Sequence, residues 1–254
     1  MRNLKVVVSY DGTDYFGFQY QPEAPTIQAE LERVLSRIVK EPVTVYGSGR
    51  TDAGVHAAGQ VINFRTEGTV PIDRLCLAMN SLLPESIAAL EASEVDNSFH
   101  ARYCAVSRTY EYSILNREVP DALRARFSWH IRHLLDVDSM QQAAKALIGR
   151  HDFSSFASAD RDATNPIRDL QRIEVEREQD SVKITVQANA FLRSMVRVIV
   201  GTLTEVGLGL RAGCDMKNIL EAADRRQAGK TAPARGLCLR EVEYIRGYDG
   251  YIFR

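Results

Sequence analysis

The densest run of glycine and polar residues in the chain is Gly47-Ser48-Gly49-Arg50-Thr51-Asp52-Ala53-Gly54-Val55-His56-Ala57. Glycines allow tight turns and let a ligand come close to the backbone. Asp52 is the one carboxylate in the run, projecting from a constrained loop, and a carboxylate so placed suits nucleophilic or acid–base chemistry. Two other readings compete. A phosphate-binding glycine loop requires a Gly-Lys-Ser/Thr ending that enters a helix, and neither follows here. A hairpin loop with a turn-forming aspartate also fits the composition.

The histidines are His56, His100, His130, His133 and His151. His130 and His133 stand three apart, but no His-Glu-x-x-His pattern or cysteine pair supports a metal site. There is no Gly-x-Ser-x-Gly elbow for a serine nucleophile. No nucleotide-cofactor fingerprint occurs either, so neither metal nor cofactor is expected.

Six lysines leave 26 arginines among the 32 basic residues, against 33 acidic ones. Arginine makes bidentate phosphate contacts and stacks on bases better than lysine does. A genomic bias toward arginine codons explains the excess equally well. The net charge of -1 argues weakly against a polyanionic partner. At 254 residues and 45% hydrophobic, the chain suits one large domain or two small ones. No apolar run is long enough to span a membrane. The chain opens on Met1-Arg2-Asn3 and strand-like residues without a signal-peptide pattern. Cys76, Cys104, Cys214 and Cys238 lie far apart and read as reduced thiols in a cytoplasmic protein.

The elements that must carry the loop follow from apolar periodicity. Leu4 to Tyr10 predicts a strand. Ile27, Leu31, Val34, Leu35 and Ile38 fall at helical spacing behind a Thr26 cap. Val43 to Gly47 and Gln60 to Thr66 predict strands that bracket the Asp52 loop. Leu75, Ala78, Met79 and Leu82 predict a second helix stopped by Pro84, and Ile87 to Val95 a further strand. The second half repeats this βαββαβ order, from a strand over Ala105 to Leu115 to one over Leu237 to Tyr244. Between them stand helices over Asp138–Ile148, Leu192–Val206 and Asp215–Asp224, and strands Leu170–Arg177 and Val182–Ala188 joined at Gln179-Asp180. The expected fold is α+β, with two ferredoxin-like (RRM-like) halves, 1–100 and 101–254, whose sheets pack around a central cleft where their bare faces meet or bind a ligand.

Two further side chains stand out by position. Arg197 lies about 140° around its helix from the stripe of Leu192, Met195, Val196, Ile199, Leu203 and Val206. Solvation is the usual fate of such an arginine, yet Val198 and Val200 flank that face. Tyr110 shares a strand face with Arg108 and Tyr112, where core packing is the usual role of a tyrosine.

Gly49-Arg50-Thr51-Asp52-Ala53-Gly54-Val55-His56 resembles the catalytic motif of the TruA family, the bacterial tRNA pseudouridine synthases A. The likeness runs along nearly the whole chain. It includes Tyr10-Asp11-Gly12-Thr13 through Gly17-Phe18-Gln19, and Phe99-His100-Ala101-Arg102. It continues through Arg108-Thr109-Tyr110-Glu111-Tyr112, His151-Asp152-Phe153-Ser154-Ser155-Phe156, Asn189-Ala190-Phe191 to Met195-Val196-Arg197, and Thr231-Ala232-Pro233 to Gly236-Leu237. Phe18 stands where the family commonly has Trp, and Cys238 where an aromatic is common.

The resemblance implies isomerisation of uridine to pseudouridine at positions 38 to 40 of the tRNA anticodon stem-loop, by a homodimer and without a cofactor. It implies Asp52 as the catalytic nucleophile, which attacks the ribose C1′, assists loss of uracil to a glycal, or adds to the base. It implies Arg197 as the basic partner that keeps the desolvated carboxylate ionised, and Tyr110 as the residue stacking on the target base. Arg50 is a candidate substrate contact, and Arg102, Arg108, Arg168 and Arg193 are candidates for phosphate. Two other classes compete: a non-catalytic RNA-binding protein, and a small-molecule hydrolase or mutase using Asp52. A carboxylate at the centre of the strongest motif gains nothing in mere polyanion binding.

Overall fold

A computed structural model describes residues 1–158 and 165–245. The chain forms two compact units, Met1–Ser107 with the segment from Leu239, and Arg108–Cys238.

The first unit begins with β1 (Arg2–Tyr10), α1 (Ile27–Val39), β2 (Tyr46–Gly47), β3 (His56–Thr66), α2 (Ile72–Asn80) and β4 (Ile87–Val95). Strand β1 runs antiparallel between β3 and β4, and β2 pairs antiparallel with β3, giving the order β4-β1-β3-β2. Leu4, Val6, Val8 and Tyr10 are buried, as the two-residue period of a strand requires for one covered face. Helix α1 buries Ile27, Leu31, Val34 and Leu35, and Thr26 caps it by accepting the Ala29 N–H.

Strand β2 is shorter than the expected Val43–Gly47. The Val43 and Val45 N–H groups donate to Ser36 Oγ and Glu32 Oε1 on α1, so the helix satisfies the donors that a ladder would otherwise use. Strand β3 is longer than expected and starts at His56. Its register with β1 shifts between Val8 and Tyr10. Such a bulge re-aims side chains where a strand leaves a functional loop.

The second unit is entered along β5 (Ala105–Asn116), followed by β6 (Trp129–Ile131), α3 (Val137–Ala144), β7 (Gly149–Asp152), β8 (Ile167–Glu178), β9 (Ser181–Ala188), α4 (Met195–Gly207) and α5 (Asp215–Ala222). Its strand order is β5-β9-β8-β7, with β6 parallel to the end of β5. The β8–β9 hairpin turns at Gln179 and Asp180, Gln179 adopting φ 54°.

Helix α3 gives way to a 3₁₀ turn at Lys145–Leu147, short of the expected α-helical end at Ile148. Helix α4 starts three residues later than expected, because Ser194 takes a left-handed φ of 59°. Helix α5 ends at Ala222, before the expected Asp224, because Ala223 turns left-handed at φ 47°. The apolar stripe of α4 is buried, and so are Val198, Val200, Thr202 and Thr204 on its other sides. Thr202 and Thr204 satisfy their hydroxyls on the carbonyls four residues back. The closing strand β10 (Leu237–Tyr244) returns to the first unit, where it neighbours β3. There the Arg240 carbonyl oxygen stands 2.5 Å from where a Gly59 Cβ would be. Among the described residues, no helix is long and apolar enough to cross a membrane.

Candidate active site

Asp52 sits half-buried in the loop between β2 and β3. Every stage of that loop is fastened to the sheet or to the segment after β1. The Ser48 N–H donates to Val61 O at 2.8 Å, and Ser48 Oγ donates to Gln60 Oε1 at 2.6 Å. Gln60 Nε2 in turn donates to Gly49 O at 2.9 Å. The Tyr10 and Thr51 hydroxyls share a 2.9 Å hydrogen bond. Thr51 O accepts the Phe18 N–H at 3.0 Å, and Tyr15 O accepts the Gly54 N–H at 3.3 Å. Asp52 O closes a turn by accepting the Val55 N–H at 3.1 Å.

Two glycines outside the loop make its position possible. Gly17 has φ 93°, and a Cβ there would lie 2.7 Å from Thr51 O and 3.3 Å from the Asp52 carbonyl carbon. A Cβ on Gly12 would lie 2.0 Å from Val55 O. Gly54, within the loop, takes φ 74°. Phe18 is buried with its ring 2.6 Å from where a Gly47 Cβ would stand, so glycine at 47 makes room for the ring.

His56 is buried beside the loop's exit. Its Nδ1 accepts the Gly12 N–H at 3.1 Å and lies 3.1 Å from Asp11 Oδ1. The two contacts ask opposite roles of that nitrogen, acceptor toward the Gly12 N–H and donor toward the Asp11 carboxylate. Arg50 is exposed on the loop.

Tyr110 and Arg197 belong to the second unit. Tyr110 lies on β5 opposite Val186 and is only 8% exposed. Its ring meets Phe191 edge-on, centroids 5.2 Å apart at 87°. Arg108, on the same strand face, is buried and donates from Nη1 to Asn189 O at 2.7 Å. Tyr112 is fully buried, with its hydroxyl donating to Pro233 O at 2.7 Å. Burial pushes its phenol well above the ordinary tyrosine range, opposed by the guanidinium groups of Arg197 and Arg235.

Arg197 is half-buried on the first turn of α4, rather than fully solvated. Its Nε donates to Ala232 O at 2.8 Å, and the Ala232 N–H donates back to Arg197 O at 3.0 Å. Close approach of the 230–232 segment depends on Gly201, whose Cβ would stand 1.7 Å from Lys230 O.

The other arginines separate by exposure. Arg102 and Arg193 are exposed, whereas Arg168 spends Nη1 on the Asn165 and Ile167 carbonyls. His130 and His151 each bond a backbone carbonyl, at 2.8 and 2.9 Å. Among the described residues no three His, Cys, Asp or Glu side chains gather as metal ligands would.

Gln60, Tyr10 and Phe191 are not marked as site residues by the sequence. Gln60 carried a usable signal, as a polar residue within an apolar strand that is fully buried here. Buried amides are retained where both ends find partners, and Gln60 finds them in the loop.

The profile of the tRNA pseudouridine synthase family matches residues 6–104 and 143–245 of this chain. A tRNA pseudouridine synthase A of Brevibacillus brevis is 49% identical over 244 residues, covering 96% of this chain and all of that protein. That of Moorella thermoacetica is 49% identical over 243 residues, covering 95% of this chain and 99% of its own length. That of Acetivibrio thermocellus is 45% identical over 244 residues, covering 96% of this chain and 100% of its own. A carboxylate held on a many-point loop, in a chain matched over 95–96% of its length by these relatives, leads to one conclusion: the chain belongs to the tRNA pseudouridine synthase family.

Proposed function

We propose that the chain isomerises uridine to pseudouridine at positions 38 to 40 of the tRNA anticodon stem-loop. Asp52 is the nucleophile, Arg197 its ion-pair partner, Tyr110 stacks on the target base and Arg50 contacts the substrate. The observation that carries this reading is the placement of Asp52 on a loop whose backbone is fixed by Ser48, Thr51, Gly54 and Val55. Fixing the loop before the substrate arrives spares the reaction the cost of ordering it.

The reaction breaks the bond between uracil N1 and ribose C1′ and forms one between C5 and C1′. The proton leaving C5 is matched by one gained at N1, so nothing is oxidised and no group enters or leaves. An ionised carboxylate can supply the electron pair for attack at the sugar or base, or stabilise the departing base. A mere RNA-binding role leaves the fixed carboxylate without a purpose.

The same reading takes each half, 1–100 and 101–254, as a ferredoxin-like βαββαβ module. The β4-β1-β3-β2 order, all antiparallel, supports it for the first half. It takes the active form as a cytoplasmic homodimer. Val119, Leu123, Phe127 and Leu134, exposed along one stretch of the second unit, supply apolar surface that a second copy would cover. The wide spacing of Cys76, Cys104, Cys214 and Cys238, without a Cys-x-x-Cys pair, supports a reducing compartment.

The test is incubation of the purified chain with unmodified tRNA transcripts, followed by chemical labelling of pseudouridine and mapping of its position. Label at 38, 39 or 40 is the expected result. Binding without label would leave only the RNA-binding reading, and sedimentation of a fully active monomer would remove the dimer.

A further inference from the structure

A second group of side chains in the first unit has no part in the reaction above. Tyr46 on β2 lies with its ring centroid 5.1 Å from that of His100, and His100 lies 4.4 Å from Tyr103. The Arg102 guanidinium carbon stands 5.8 Å from the centre of the Tyr103 ring. Arg65 is close enough to His100 to act on its charge. The group is open to water: Tyr103 is 76% exposed, Tyr46 43%, and both arginines are exposed.

The backbone beneath is fixed. Asn3 Nδ2 donates to the Asp96 and Phe99 carbonyls, each at 2.9 Å. Asn63 Nδ2 donates to Asn3 Oδ1, and Asn63 Oδ1 accepts the Ala101 N–H. The Tyr244 hydroxyl donates to Ala101 O at 2.7 Å, and its ring packs against Phe99. Two buried asparagines and a tyrosine thus hold Phe99 and Ala101 inward while His100, Arg102 and Tyr103 stay at the surface.

Isolated exposed aromatics are ordinary. Three in consecutive ring contact, with two guanidinium groups beside them, are not explained by core packing, since Tyr103 is mostly open to water and Tyr46 and His100 are partly so. Burial first, then the charges of Arg102 and Arg65, hold the His100 imidazole below the ordinary histidine range. The ring therefore offers a neutral face at neutral pH. Flat neutral faces flanked by arginine match unpaired nucleotides, whose bases stack and whose phosphates take the charge. An acidic peptide would use the arginines but leave the rings idle.

We propose that Tyr46, His100 and Tyr103, with Arg65 and Arg102, form a stacking platform for unpaired nucleotides of the RNA substrate; Tyr46 lies on β2, which leads into the Asp52 loop, Arg65 on β3, and the other three on the segment between β4 and β5. This rests on the reading of the chain as an RNA-modifying enzyme. The platform is sequence-tolerant, because every base has a stacking face. It places affinity for single-stranded nucleotides outside the residues assigned to catalysis.

The test measures dissociation constants of the full chain by fluorescence anisotropy. The probes are an unmodified tRNA transcript, a uridine hexanucleotide and a fully paired RNA duplex. Tyr103→Ala is expected to weaken binding of tRNA and hexanucleotide about tenfold while leaving the duplex within twofold. Tyr103→Phe is expected to restore the affinity. Arg102→Gln should weaken tRNA binding and lower the salt slope by about one. Unchanged affinity in Tyr103→Ala, or equal losses on hexanucleotide and duplex, would overturn the platform. Pseudouridine formation by the unaltered chain is scored alongside. If it forms while Tyr103→Ala binds normally, the platform alone fails. If none forms but the hexanucleotide loss is seen, the platform stands and the enzymatic reading fails.

Discussion

Arg197 and Ala232 exchange two hydrogen bonds, side chain to carbonyl at 2.8 Å and amide to carbonyl at 3.0 Å. The pair holds the guanidinium at one end of a helix that is otherwise buried nearly all round. Arg197→Met removes the Nε donor and leaves Ala232 O one partner short, a loss of about 1–3 kcal/mol. It should lower single-turnover pseudouridine formation by at least a hundredfold. Arg197→Lys keeps the charge but not the planar donor and should recover only part of the rate. Near-normal turnover in Arg197→Met, with stability confirmed by urea unfolding, would remove Arg197 from the reaction.

Gly17 tests the support of the catalytic loop from outside it. An alanine there must adopt φ 93° and must displace Thr51 O, 2.7 Å from its Cβ. Strain and overpacking together should cost about 1–3 kcal/mol. Because Asp52 follows Thr51, Gly17→Ala should lower turnover more than tenfold while the chain remains folded. Unaltered turnover would show that the loop position is not critical.

Tyr110 is too buried for truncation to be informative, since deleting a buried aromatic ring costs about 3–5 kcal/mol. Tyr110→Leu fills more of the space and loses the flat face. It should reduce the single-turnover rate about a hundredfold with tRNA affinity held within a few-fold, whereas Tyr110→Phe keeps the edge-on contact with Phe191. Lost affinity with an intact chemical step at saturating enzyme would make Tyr110 a general binding residue.

Asp136 caps α3 by accepting the Ser139 N–H at 3.0 Å and the Ser139 hydroxyl at 2.6 Å. These bonds, the hydroxyl first, hold its carboxyl below the ordinary value of 3.8. A carboxyl lowered by folding stabilises the protein above its unfolded value, and the contribution disappears as pH falls through the lower folded value. Asp136→Asn retains a cap without the titration. Urea midpoints should therefore fall more steeply for the unaltered chain than for Asp136→Asn as pH drops below about 4. Parallel slopes would contradict the assignment.

The parts of the fold that are legible in sequence are those where one face of one element decides burial. The four buried positions of α1 and the alternation of β1 are of this kind. Elements set by particular partners are not legible. The 43–45 backbone reads as strand from its valines, but Glu32 and Ser36 claim its donors. The three-residue β6 and four-residue β7 are too short to show a period. Ser194 gives no sign of its left-handed turn, so the start of α4 is misplaced. At the site, the Asp52 loop announces itself by its glycines, whereas the glycine that seats it, Gly17, lies 35 residues earlier. Only the fold brings it to Thr51.

In the proposed reaction the Asp52 carboxylate performs the isomerisation. Asp52→Asn preserves shape and removes the charge. The direct measurement is single-turnover pseudouridine formation on an unmodified tRNA transcript at saturating enzyme, with the dissociation constant determined in parallel. The expected rate is reduced at least a thousandfold, with affinity within a few-fold of the unaltered chain. Pseudouridine forming in Asp52→Asn at a substantial fraction of the normal rate would contradict it.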